Sequence, residues 1–172
     1  GGAMSLFPVF TPEMPGAIIA PVDSTNIMRD RATGQIKPLN VPKVSVIHTP
    51  EEDADDREVT PNWFQTPGIS ASTHWYISGG AGTHKDGFLY QMLPEKYGAI
   101  ANGVLGKPYP AGTDPNVSLN YQSRSVEVEG RANNIHLTCL RGGKQWRTLV
   151  GWIAEGHRRY VDAIYPHVAE AV

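Results

Sequence analysis

The stretch Lys43-Val44-Ser45-Val46-Ile47-His48-Thr49 decides how this chain is read. Val44, Val46 and Ile47 are β-branched, Pro42 stands immediately before the run and an acidic segment follows it. Short, apolar and β-branched, the run has the character of a strand buried in the middle of a sheet. It ends on a histidine. At the C-terminal ends of strands in α/β sheets the chain leaves the core and side chains line a crevice. His48 at such a point has two readings. It binds a metal through one ring nitrogen while the other donates to a carbonyl, or it simply hydrogen-bonds a loop.

Downstream, the acidic run Glu51-Glu52-Asp53-Ala54-Asp55-Asp56 reads as a solvated loop or as the border of a cleft. Thr60-Pro61-Asn62-Trp63-Phe64 fits a helix start with Thr60 as N-cap and Pro61 at the first helical position, and Pro67-Gly68 ends it. His74-Trp75-Tyr76-Ile77-Ser78 and Phe88-Leu89-Tyr90-Gln91-Met92-Leu93 read as a strand and its returning partner. The segment between them, Gly79-Gly80-Ala81-Gly82-Thr83, lacks the Gly-Lys-Ser/Thr of a phosphate loop and reads as a glycine-rich hairpin. Residues 104 to 119 form a long surface loop. From Ser123 to Gly130 the chain alternates, Val126 and Val128 on one face and Glu127 and Glu129 on the other. The spacing predicts a helix from Lys144 to Tyr160, its buried stripe made of Trp146, Leu149, Val150, Ile153, His157 and Tyr160. Pro166 opens a last short helix.

Upstream, residues 5 to 42 are proline-rich and weakly periodic, as expected of an extended N-terminal arm packed on a domain. Residues 1–4 read as a cloning scar. With 172 residues there is room for one domain, here 43–172, and little more. Interleaved strands and helices predict an α/β fold, a central mixed sheet flanked by helices. The 18 glycines and 14 prolines exclude a helical bundle. A net charge of −2 gives no reason to expect nucleic acid or an anionic membrane as partner, and no stretch approaches the roughly 18 apolar residues of a membrane span. Cys139 is the one cysteine, so no internal disulfide forms.

The six histidines, His48, His74, His84, His136, His157 and His167, include no His-Glu-x-x-His pair. Besides His48, the alternating strand offers Glu127. With Glu129 it is either an ordinary solvated carboxylate or, over a metal-bearing cleft, a general base toward water.

In chain order these residues carry a resemblance. After Ile47-His48-Thr49 come Ser72-Thr73-His74-Trp75-Tyr76-Ile77 and then Asp86-Gly87-Phe88-Leu89-Tyr90-Gln91-Met92-Leu93-Pro94-Glu95. Asn120-Tyr121-Gln122-Ser123, Val126-Glu127-Val128-Glu129-Gly130 and Gln145-Trp146-Arg147-Thr148-Leu149 follow. From about residue 43 to 160 the chain resembles the type 2 N-acetylmuramoyl-L-alanine amidases, and Trp63-Phe64 followed by Ser-Thr-His is similar to lysins of actinobacterial phages.

The resemblance implies zinc-dependent cleavage of the amide between N-acetylmuramic acid and L-alanine of peptidoglycan, by a phage-encoded monomer acting on the host cell wall. It places His48 at the first zinc-ligand position and Glu127 at the position of the catalytic base. His167 falls where a second zinc ligand is expected, and Trp63, Asn102 and Asn120 are the expected substrate contacts. His74 matches a structural position. The chain also departs from the family pattern. Thr73 stands where some relatives carry an assisting tyrosine. Ile100-Ala101-Asn102-Gly103 lacks the substrate-contacting histidine of Trp-His-Ala-Gly. No Asp-Pro-Gly or Cys-Pro-Gly motif supplies a third ligand, Asp114-Pro115 lies in the wrong loop, and nothing chooses between Asp162 and Glu170. The alternative function is therefore an amidase-like module that binds peptidoglycan without cleaving it.

Overall fold

In the computed structural model, residues 3–53, 58–80, 84–102, 109–135 and 139–160 are described, together with the backbone of 169–170. The decisive run forms strand β2 (Val44–His48). It belongs to a six-stranded mixed sheet with β1 (Ile18–Ile19), β3 (Trp75–Ile77), β4 (Leu89–Gln91), β5 (Ser123–Val128) and β6 (Ala169–Glu170), in the order β1-β4-β3-β5-β2-β6. Only β3 and β4 run antiparallel; the other neighbours are parallel. A parallel sheet is covered on both faces, which is why β5 is buried at five of its six positions rather than at every second one. Of the two readings of the Glu127 and Glu129 face, the solvated one does not hold for Glu129, which is buried and accepts from the Gly79 amide at 2.5 Å.

One face packs on helix α2 (Lys144–Tyr160), whose bounds match the sequence expectation. There Trp75, Ile77, Val126 and Val128 meet Leu149 and Trp152. The buried stripe of α2 differs from the expected one: it is Gln145, Leu149, Trp152 and Gly156, with Trp146, Val150 and His157 turned to solvent. Hydrophobicity alone misassigns this stripe because two of its members are inside for other reasons. Gln145 Nε2 donates to the Glu129 carbonyl at 2.9 Å, capping the end of β5. Gly156 leaves room for Arg124: a Cβ there would lie 2.1 Å from Arg124 Nη1.

Arg124 and Glu95 form an ion pair at 2.7 Å, both about 1% exposed. Glu95 also accepts from Trp75 Nε1 and Tyr160 Oη, each at 2.6 Å, and pairs with Arg159 at 3.0 Å. Arg124 in turn stacks 3.7 Å over the Trp152 ring and donates to the Trp152 carbonyl at 2.7 Å. Burial pushes the Glu95 carboxyl up, but the two arginine charges and the Tyr160 hydroxyl outweigh it and hold it below the ordinary carboxylate range. Through Trp152, Arg159 and Tyr160 this network pins α2 to the sheet by polar contacts that no apolar pattern encodes.

The opposite face is covered by the arm and by helix α1. Val22 and Ile27 share a cluster with Phe64, Tyr76, Tyr90, Met92 and Leu93. The arm also adds β1 to the sheet, and Asn40 donates to the Glu95 and Ser123 carbonyls. It is thus part of the core, not an attachment to it. Helix α1 (Val59–Phe64) begins two residues before the expected start. Its N-cap is Glu58 in the left-handed region, which places Pro61 in the first turn, where a missing N–H is harmless. Thr60 donates instead to Glu52 Oε1 at 2.5 Å. The expected helix at Pro166 lies outside the described residues; the backbone that follows it, Ala169–Glu170, pairs with β2.

Candidate functional site

Strand register brings the two sequence candidates together. β2 and β5 pair in parallel from Val44↔Ser123 to His48↔Glu127, and β3 pairs with β5 so that Tyr76 lies opposite Glu127. Registered neighbours point to the same face of a sheet. His48, Glu127 and Tyr76 therefore form a row across three adjacent strands, on the face away from α2, with His48 and Glu127 close to the C-terminal ends of β2 and β5.

His48 is half-buried, and its Nε2 lies 3.0 Å from Asn102 Oδ1. Burial lowers its pKa, more than the Asn102 contact raises it, so the ring is neutral at pH 7. Asn102 is itself anchored. Its Nδ2 donates to Asn120 Oδ1 and Ser123 Oγ, both at 2.9 Å. Asn102 and Asn120, the expected substrate contacts, are both buried: Asn102 faces His48 and Asn120 Oδ1, and Asn120 Nδ2 lies 3.8 Å from Met28 Sδ.

Glu127 lines a cleft of about 450 Å³ together with Thr49, Pro50, Glu52, Val59, Thr60, Trp63 and Phe64. Its Oε2 is buried without a hydrogen-bond partner among the described residues. Burial first, then the negative charges of Glu52 and Glu51, push its carboxyl up to about 8. Glu127 is thus mostly protonated at neutral pH and poised near the pH at which general acids and bases work well. Across the cleft, Trp63 is 51% exposed, an apolar ring left in solvent beside a buried carboxyl. Among surface tryptophans such a placement favours ligand contact.

Glu52 lines the cleft and accepts from Thr60 Oγ1 and from Tyr76 Oη, the latter at 3.2 Å, so this part of the acidic run takes the second of its two readings, the border of a cleft. Tyr76 is buried, and burial together with Glu129 and Glu52 pushes its phenol far above the ordinary value. Tyr76, read from the sequence only as part of a strand, is brought beside Glu127 by the register of β3 with β5.

His74 is structural in the sense expected. It is fully buried, receives the Ser125 amide on Nδ1 at 3.1 Å and gives Nε2 to the Tyr97 carbonyl at 2.8 Å. Thr73 donates to Ser125 Oγ at 3.1 Å. His157 is exposed on the outer face of α2, far from an apolar stripe. His167 and Asp162 lie outside the described residues, and Glu170 is described only in its backbone. Among the described residues no three His, Cys, Asp or Glu side chains converge as a metal-binding group. No described helix is long and apolar enough to cross a membrane.

Comparison with protein-family models, with curated proteins and with solved structures finds no match for this chain.

Proposed function

We propose that the protein is a zinc-dependent peptidoglycan amidase, of phage-lysin type, that hydrolyses the bond between the lactyl group of N-acetylmuramic acid and L-alanine. The observation carrying this reading is the side-by-side register of His48 and Glu127, the latter lining a cleft together with Trp63. The family resemblance assigns these two residues as ligand and base, and neither their adjacency nor their shared face follows from their separate motifs.

The residues present suit a zinc ion in kind. His48 is a neutral imidazole with one nitrogen engaged by Asn102, the usual partnership of a metal-binding histidine. Glu127 offers an orphaned acceptor beside it. A zinc site needs three protein ligands; His167 is the proposed second, and the third is Asp162 or Glu170. Zinc, when bound, supplies Lewis acidity toward a carbonyl and lowers the pKa of water to about 7. The chain's own part is proton management. Glu127 as carboxylate takes a proton from the attacking water and delivers it to the departing L-alanine nitrogen. A positive charge nearby favours that carboxylate form. Trp63 offers a rigid apolar surface to the substrate at the rim.

The second reading, a module that binds peptidoglycan without cleaving it, draws on the described residues bringing no three His, Cys, Asp or Glu side chains together. Digestion of purified peptidoglycan separates the two. The amidase releases new L-alanine amino termini, contains stoichiometric zinc and loses both in His48→Ala. Muropeptide binding with neither zinc nor new amino termini would leave the binding module standing.

A further inference from the structure

We infer that Asn102 is a positioning residue that fixes which nitrogen of His48 carries the proton, leaving Nδ1 as the ring's open lone pair. A side-chain amide can be turned over, so its orientation has to come from a neighbour that is fixed. That neighbour is the backbone. The amides of Asn102 and Ala101 both donate to Asn120 Oδ1, at 3.0 and 3.3 Å, and backbone N–H groups do not exchange donor for acceptor. Asn120 Oδ1 is therefore an acceptor. Facing it at 2.9 Å, Asn102 must present Nδ2, whose second hydrogen goes to Ser123 Oγ.

With Nδ2 committed, Asn102 turns Oδ1 to His48, and an amide oxygen only accepts. The hydrogen between them belongs to His48 Nε2. The polarity of the backbone at residues 101 and 102 is passed through two asparagines to an imidazole. The alternative arrangement would set Oδ1 of Asn102 against Oδ1 of Asn120 in a buried place, two acceptors face to face with no hydrogen between them.

The consequence is chemical. A neutral histidine offers one lone pair, and here it lies on Nδ1, at the end of β2 in the row with Glu127. The assignment of the proton stands on the hydrogen bonds alone; its use toward zinc rests on the amidase reading.

Long-range proton–nitrogen NMR of the metal-free protein tests it. His48 is expected to show a pyrrole-type Nε2 and a pyridine-type Nδ1. His74, whose tautomer Ser125 and Tyr97 fix independently, serves as an internal control of folding. Asn102→Leu is expected to give His48 a mixture of tautomers with His74 unchanged, whereas Asn102→Asp, which keeps an acceptor, retains Nε2–H. A protonated Nδ1 in the wild type, or a pure Nε2–H pattern in Asn102→Leu, would overturn the inference. Zinc added to the wild type is expected to move Nδ1, with affinity about 10- to 100-fold weaker in Asn102→Leu. Zinc on Nε2 overturns it too. The stated tautomer without any zinc binding would uphold the inference and sink the amidase reading instead.

Discussion

Gly156→Ala gives the sharpest test of how α2 is held to the sheet, because two effects of opposite sign compete at one residue. In an exposed helix interior the change stabilises by about 1 kcal/mol, through helix propensity. Here the new Cβ would lie 2.1 Å from Arg124 Nη1 and 2.8 Å from Cζ. The guanidinium tip has to move, yet it is tied to Glu95 through Nε, to the Trp152 carbonyl through Nη1 and to the Trp152 ring at 3.7 Å. Losing the charge-assisted bond to the carbonyl costs about 1.5–3 kcal/mol, and losing the desolvated cation–π contact costs up to about 2 kcal/mol. The clash wins. The net expectation is a loss of about 0.5–4 kcal/mol, whose upper end is a large part of the total for a domain whose stability is on the order of 5–15 kcal/mol. Gly151→Ala in the same helix is the control. Nothing lies within 4 Å of its added Cβ, so it should gain about 1 kcal/mol from propensity alone. Urea unfolding of both variants, read by tryptophan fluorescence, gives the comparison. If Gly156→Ala is as stable as the wild type, or moves with Gly151→Ala, the packing of Arg124 under α2 does not hold the helix.

Glu95→Gln removes the one carboxylate shared by Arg124 and Arg159 and is expected to cost about 3–5 kcal/mol at pH 7. Because the folded Glu95 carboxyl lies below its ordinary value, that stabilisation is present above about pH 4.5 and is lost as pH falls through the folded value, so the gap should narrow in acid. Glu127 has the opposite sign. Its carboxyl is raised to about 8, so ionising it penalises the fold progressively between the ordinary carboxylate range and pH 8, by at most about 1.4 kcal/mol per pH unit. Glu127→Gln should therefore match the wild type near pH 4.5, exceed it in stability at pH 8 by thermal unfolding, and abolish turnover of peptidoglycan; parallel pH profiles would refute the buried-acid account. Trp63→Ala, at an exposed position, should leave unfolding within about 0.5 kcal/mol of wild type while weakening muropeptide binding about tenfold. Unchanged binding by calorimetry would remove Trp63 from the cleft's recognition surface.

The sequence by itself determined the elements whose character is local. A β-branched run after a proline fixes β2, apolar recurrence over 17 residues fixes α2, and a histidine at a strand end singles out His48. Those signals reside in neighbouring residues, and backbone sterics with the hydrophobic effect read them directly. Only the tertiary structure decided what faces what. Parallel pairing of distant strands put Glu127 beside His48, and no local pattern encodes that register. The inner face of α2 went to Gln145 and Gly156 because a carbonyl needed a donor and a guanidinium needed space, demands set by the sheet and not by hydrophobicity. Proline-rich and weakly periodic, the arm hid Val22 and Ile27, which are buried by what covers them. Asn102 stood out in the sequence only through the family resemblance; the backbone amides that point at Asn120 are what turn its side-chain oxygen toward His48.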